Sequence, residues 1–173
     1  SQRFIQLRRV RCIFDMYFTS DGTNALTQIF GKKDVLENPK PHELIRLFLE
    51  HTTSGNDIVL DSFAGSGTTA HAVLALNKED GGNRKFILVE CEDYADTITA
   101  ERVRRVIKGV SGAKDDSLKA ALGGSFTFCE LGKEINIENL LKGGELPDYD
   151  ELARYAFFTS TGQTLDKVKQ GAD

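Results

Sequence analysis

The chain has 173 residues, 40% of them hydrophobic and 28% charged, a composition that excludes a collagen-like repeat, a disulfide mini-protein and a long disordered tail. Its formal net charge is -4, so taken whole it is not a basic nucleic-acid coat. No run approaches ~18 consecutive apolar residues and no basic start precedes an apolar core, so neither a membrane span nor a secretory signal is expected. The cysteines, Cys12, Cys91 and Cys129, are far apart and odd in number, which fits reduced thiols rather than a disulfide framework or a metal site.

In chain order, Arg3, Arg8, Arg9 and Arg11 open the sequence without an intervening acid. The run from Arg8 to Phe18 is rich in β-branched and aromatic residues and predicts a strand. Asp21 to Asn24 is turn chemistry, followed by a short helical stretch ending at Phe30-Gly31. Asn38-Pro39-Lys40-Pro41 (NPKP) holds two prolines, each pushing the residue before it out of the helical region. Pro41 is expected at the first position of an amphipathic helix over His42 to His51. Asp57 to Asp61 reads as a strand buried on both faces in a parallel sheet, Thr68 to Asn77 as a helix, and Phe86 to Glu90 as a second buried strand. A long helix is expected over Ala95 to Val110. Within it Arg102, Arg104, Arg105 and Lys108 form a second basic run without an acid. Ser125 to Leu131 alternates and predicts a third strand; Ile137 to Leu141 and Tyr149 to Phe158 predict helices, with a polar, fraying end from Thr159. Strand–helix–strand–helix order predicts an α/β fold with a doubly wound sheet. The basic start and an acidic C-terminal third are consistent with a nucleic-acid face opposite a solvated face, or with two solvated surfaces.

The loop Asp61-Ser62-Phe63-Ala64-Gly65-Ser66-Gly67-Thr68-Thr69 lies between a strand end and a helix start, where open α/β sheets bind ligands. No lysine follows Gly67, so it is not a triphosphate loop. Gly65 to Ala70 satisfies the dinucleotide pattern GxGxxA, with Glu90 at the end of the next strand as a ribose-binding acid. S-adenosylmethionine fits better: Asp61 would take its ammonium, Gly65 and Gly67 its methionine portion, and Glu90 its ribose hydroxyls. An anion at Asp61 would repel a pyrophosphate, which argues against NAD. A glycine turn made only for close packing is the plain alternative.

At these residues the sequence resembles the amino-group DNA methyltransferases. DSFAGSGTT (Asp61 to Thr69) resembles their motif I, and NPKP with its helix resembles motif X, placed before motif I as in the permuted β class. FILVECEDYADTITAERVRRV (Phe86 to Val106) resembles motif II, and Ser125 to Leu131 would be the motif III strand. LNKEDGGNRKFILVE (Leu76 to Glu90) resembles specifically the modification (Mod) subunit of type III restriction–modification systems.

The resemblance implies a partial, Rossmann-like S-adenosylmethionine-dependent methyltransferase sheet with flanking helices. It implies cofactor contacts from Asp61, Phe63, Gly65, Ser66, Gly67 and Thr68, a ribose contact from Glu90, Cys91 and Glu92 near the adenine, and closure over the methionine side by Asn38, Lys40 and Pro41. Methyl transfer to adenine N6 is implied for the parent enzyme, in the cytoplasm of a bacterium or archaeon. Double-stranded DNA and the restriction (Res) subunit are the implied partners, with a homodimer. The division expected is 1–34 as the end of a target-recognition arm, 35–131 as the cofactor-binding subdomain and 132–173 as a C-terminal extension.

One departure is large. The family's catalytic Asp/Asn-Pro-Pro-aromatic tetrapeptide, which holds a flipped base, has no counterpart here, because the three prolines follow Asn38, Lys40 and Leu146. Ser1 is not a natural initiator. A C-terminal portion of a longer methyltransferase, inactive alone, is therefore expected. Its strand at Asp57–Asp61 would lack the neighbouring catalytic strand, leaving an edge covered by self-association or by Val10 to Phe18. Two rivals stand beside this reading: an NAD-binding domain, and a non-catalytic module for dimerisation or docking.

Overall fold

The computed structural model describes residues 17–133, 135, 137–143, 146–163 and 165. The N-terminal arginines and the strand expected from Arg8 lie outside that set, except Tyr17 and Phe18, which are not strand. The chain divides into two compact units, residues 1–128 and 129–173.

The first unit opens with α1 (Thr19–Phe30), whose first turn is anchored by Asp21 accepting the Phe18 N–H at 2.8 Å. Helix α2 (His42–Thr52) begins at His42 as expected, but Pro41 does not take its first position. Pro41 is its N-cap, with ψ 131 too extended for a first helical residue. Strand β1 (Ile58–Asp61) leads through the glycine loop into α3 (Thr68–Asp80), and β2 (Lys85–Leu88) returns parallel to β1 with Ile58 opposite Lys85 and Asp61 opposite Leu88. The expected long helix begins instead as a π-helical stretch, Ala95–Ala100, which continues into α4 (Glu101–Lys108). A short α5 (Asp116–Lys119) follows.

Helix α3 is the centre of the unit. Residues Thr68 to Leu74 are all buried, so it is covered on every side rather than along one stripe. Ala70 and Leu74 pack with Ile29 of α1, Val103 and Val106 of α4 and Leu118 of α5. Ala72, Val73 and Leu76 pack with Leu49 of α2. Val59, Phe86 and Leu88 lie partly buried against these clusters from the sheet.

Two expectations about the sheet fail. The strands are not buried on both faces: Ile58, Leu60 and Ile87 are exposed, Leu60 at 65%. Alternation along β1 and β2 is therefore real, and nothing among the described residues covers the second face. Ser125 to Leu131 forms no strand, so the sheet has two strands among the described residues. The alternating aromatics pack on a helix instead. The Arg104 guanidinium lies 5.8 Å from the Phe126 ring centre and 5.9 Å from that of Phe128, within cation–π range.

In the second unit α6 spans Ile137–Lys142 and α7 spans Tyr149–Thr161. Asp148 accepts the Glu151 N–H at 2.8 Å and Glu151 accepts the Asp148 N–H at 3.3 Å, a reciprocal cap at the start of α7. This cap and Gly162 (φ 69) carry the helix three residues past its expected end. No helix among the described residues is long and apolar enough to cross a membrane.

Candidate functional site

Three backbone hydrogen bonds set the site. Val89 N–H donates to Asp61 O at 2.9 Å and Ala64 N–H to Val89 O at 3.1 Å, prolonging the β1–β2 pairing past the strand ends. Gly67 N–H donates to Ala64 O at 2.8 Å, turning the chain into α3. The loop thus sits between two strand ends and a helix N-terminus.

Gly67 must be glycine for two reasons. Its φ is 75, and an added Cβ would stand 2.8 Å from the Thr99 carbonyl oxygen of the π-helical stretch. Gly67→Ala is therefore expected to destabilise the fold by about 2 kcal/mol, summing left-handed strain and backbone overlap. Urea denaturation checks this; a change under ~0.5 kcal/mol would show that the approach of Thr99 is not fixed. Thr99 also donates its hydroxyl to Gly65 O at 2.5 Å, so the π-helical stretch holds the loop from behind.

A hollow of about 550 Å³ opens beside the loop. Its walls are Leu36 to Lys40 on one side, Asp61, Phe63, Ala64, Gly65, Ser66, Thr68 and Thr69 on the other, and Ile45 and Tyr94 at the margins. The volume is in the range of small-molecule sites. Of the expected cofactor residues, Asn38, Lys40, Asp61, Phe63, Gly65, Ser66 and Thr68 share this hollow; Pro41, Gly67, Glu90 and Cys91 are not on its wall. The NPKP segment is brought there by helix packing. A Cβ on Gly22 of α1 would overlap the Pro39 carbonyl oxygen, so α1 lies flush on that segment. The Thr68 hydroxyl reaches the Lys40 carbonyl at 3.4 Å.

Asp61 accepts from the Thr69 hydroxyl at 2.5 Å and the Phe63 N–H at 3.1 Å. Glu90 stands just behind the loop: Oε2 accepts the Gly65 N–H at 2.7 Å, and Oε1 accepts the N–H groups of Cys91 and Glu92 at 2.9 and 3.1 Å. A carboxylate has about four lone-pair sites; these three bonds and one from the Tyr94 hydroxyl engage Glu90 fully with the protein. Asp61 thus ties the start of the loop to its end, and Glu90 holds its middle. Burial first, then the Glu90 and Glu92 charges, raise the Tyr94 phenol above its ordinary value. Phe63 is 87% exposed at the loop, an apolar ring on the wall of the hollow. Cys91 is an exposed free thiol.

Sequence reasoning missed the residues beneath the loop. Arg102 is completely buried. It donates to Ser66 Oγ and Thr68 Oγ1, both at 2.8 Å, and lies 3.2 Å from His71 Nδ1. The His71 ring stacks on that of His42 at 3.8 Å and 10° between planes. His42 is lowered to about 4, by burial first and then by Arg102. His71 is held well below its ordinary value by burial, with His42 and Arg102 adding. Both rings are therefore neutral at pH 7. Arg104 and Arg105, half-buried, are engaged as well: Arg104 pairs with Asp96 at 2.6 Å, and Arg105 pairs with Glu101 at 2.7 Å and lies over Phe30, while Lys108 is exposed. Arg102, Arg104 and Arg105 therefore do not form a free nucleic-acid face.

A strand-end carboxylate and a glycine turn thus share one hollow with the NPKP segment, at the strand ends where open α/β sheets place ligands, while the acid after the next strand bonds the loop off that wall. The DNA methylase family of N6 and N4 enzymes matches residues 12–101, and this chain belongs to it. It is 39% identical over 150 residues to the type III restriction-modification enzyme StyLTI Mod subunit of Salmonella typhimurium, covering 86% of this chain and 20% of that protein. It is 35% identical over 136 residues to the EcoPI Mod subunit of Escherichia phage P1, covering 70% of this chain and 21% of that protein. A 74-residue stretch is 46% identical to the type II methyltransferase M.KpnI of Klebsiella pneumoniae, covering 43% of this chain and 18% of the enzyme. The chain spans about a fifth of the length of these relatives.

Proposed function

We propose that this chain is the S-adenosylmethionine-binding part of a type III Mod subunit whose complete form methylates adenine N6 in double-stranded DNA. The observation that carries the reading is Asp61: a carboxylate on the wall of a hollow shared by the glycine loop and the NPKP segment, in a member of the DNA methylase family. When bound, the cofactor supplies an electrophilic methyl group on sulfur. Asp61 takes the ammonium of its amino-acid end. Gly65, Ser66 and Thr68 cradle that end, with Gly67 setting the turn. Glu90 exchanges the Tyr94 hydroxyl for the ribose hydroxyls, with Cys91 beside the adenine. Asn38, Lys40 and Pro41 close the methionine side, and Phe63 covers the hollow from the loop. The chain contributes positioning, not proton transfer.

The tetrapeptide that holds a target amine in this family has no match in these 173 residues, so the chain alone binds cofactor without transferring methyl. In this reading residues 1–34 end a target-recognition arm, with Arg3, Arg8, Arg9 and Arg11 at DNA phosphates. Residues 35–131 bind cofactor within a methyltransferase sheet, and 132–173 are an extension. DNA and a Res subunit are the partners of the complete enzyme, a cytoplasmic homodimer.

Isothermal titration with S-adenosylmethionine and with NAD tests this. Saturable binding of the first alone is expected; binding of NAD alone would overturn the reading.

A second reading, a module for dimerisation or docking, is favoured by the bare apolar face of Ile58, Leu60 and Ile87. Both roles coexist if Asp61→Ala removes cofactor binding and leaves self-association intact.

A further inference from the structure

The buried Arg102 has no role in the site as described so far, and its surroundings are unusual. Every group that accepts from its guanidinium is neutral: two hydroxyls, the Ser66 carbonyl at 3.5 Å and a neutral imidazole. Its Nε has no hydrogen-bond partner. The acid that acts on it, Glu43 of α2, makes no hydrogen bond to it and attracts it only through space. Burial lowers Arg102 to about 10, which still leaves it charged at pH 7. A buried cation without a bonded anion is costly, and an apolar residue of similar size would serve packing as well or better. The charge needs a reason other than stability.

The reason lies one atom away. Ser66 and Thr68 both line the hollow. An arginine can only donate, so each hydroxyl that accepts from Arg102 must direct its own proton elsewhere. The acceptors present are poor: the two hydroxyls face each other at 3.2 Å, and Thr68 reaches the Lys40 carbonyl at 3.4 Å. Both distances are long for an O–H···O bond. Arg102 therefore polarises two wall hydroxyls into donors that meet only long acceptors within the protein. Asp61, on the same wall, has the opposite preference. The hollow offers a negative group for an ammonium and positively polarised hydroxyls for a carboxylate, side by side.

We propose that Arg102 is a positioning residue that makes this hollow select a ligand carrying a carboxylate over the same ligand without one, acting through Ser66 and Thr68. This rests on the cofactor reading above and adds the group that discriminates within it.

The test compares two thioethers, S-adenosylhomocysteine and its decarboxylated analogue, which keeps the amine and lacks only the carboxylate. Isothermal titration gives a ratio of affinities, which a general loss of stability does not move. The wild-type chain is expected to prefer the carboxylate form by about tenfold or more, the scale of one charge-assisted hydrogen bond. Arg102→Gln should bring the ratio below about threefold, and Arg102→Lys, which keeps charge and donors, should restore most of it. Glu43→Gln removes the through-space attraction that partly compensates Arg102 and should raise the ratio about twofold. Glu43 is a partly exposed side chain, so this arm holds even if Arg102→Gln does not fold. A wild-type chain that binds both thioethers equally, a full preference in Arg102→Gln, or a Glu43→Gln ratio that is unchanged or lower would each overturn the proposal while leaving the cofactor reading in place. A wild-type chain that binds neither thioether overturns both.

Discussion

Asp61→Ala is expected to weaken S-adenosylmethionine binding by about a hundredfold, roughly 2.7 kcal/mol, with little change in melting temperature. The magnitude follows from what the carboxylate does. It is the acid on the loop side of the hollow, and a hydrogen bond to a charged partner contributes about 1.5–3 kcal/mol. Two local bonds complicate the substitution, since Asp61 also accepts from Thr69 and from the Phe63 N–H. Thr69→Val separates the parts. It deletes the hydroxyl contact, keeps the charge, and should cost no more than a few-fold in affinity if the carboxylate acts on the ligand rather than on the loop. Asp61→Asn keeps an acceptor for the Phe63 N–H and removes the charge, so its loss should fall between the other two. Titration calorimetry on the three variants gives the order; Asp61→Ala binding within threefold of wild type would remove Asp61 from the site.

Asp61 was legible because its neighbourhood is local in sequence. A short apolar strand, a glycine turn and a helix are consecutive, and the return of a parallel strand fixes Glu90 behind the same turn. Nothing so local announced Arg102. In the sequence it stands with Arg104 and Arg105 and reads as surface charge. In the structure the run splits by helix face: Arg102 points inward with Val103 and Val106, while Arg104 and Arg105 reach acids and aromatic rings. The spacing of 102, 103 and 106 was the available signal, one helical face with a cation among the valines. The π-helical stretch has no comparable signal. Its i to i+5 bonding is chosen by packing, here the close approach of Thr99 to Gly67 and Gly65. Ser125 to Leu131 failed for the opposite reason. Its alternation was genuine, but Phe126 and Phe128 lie beside Arg104 of α4 instead of entering the sheet.

Acid is expected to unfold the first unit well above the pH at which ordinary carboxylates protonate. In the unfolded chain His42 takes up a proton near 6.5; in the folded protein it does so only near 4. Between these values the unfolded state holds the extra proton, so stability falls as pH drops from about 7 toward 4. For His42 alone the loss is roughly 3 kcal/mol across that window. His71 adds to it with the same sign, its proton affinity being lowered first by burial and then by His42 and Arg102. The groups that act on His42 are Arg102 and Arg46, which oppose its charging, Asp115, which favours it, and the Glu43 carboxylate 3.2 Å from its Nδ1, which would pair with the charged ring. Because the rings stack at 3.8 Å above a buried guanidinium, charging one makes charging the other harder, and the helices α2 and α3 that carry them must separate. Asp57 and Asp80, held below their ordinary values chiefly by backbone N–H bonds from Ser54 and Gly82, continue the trend below pH 3.8. Urea midpoints measured from pH 7.5 to 4.5 should decline steadily, and His42→Phe, which keeps an aromatic ring and removes one titration, should flatten the decline. A midpoint constant over that range would mean that the paired imidazoles accept protons in the folded state as readily as in the unfolded chain.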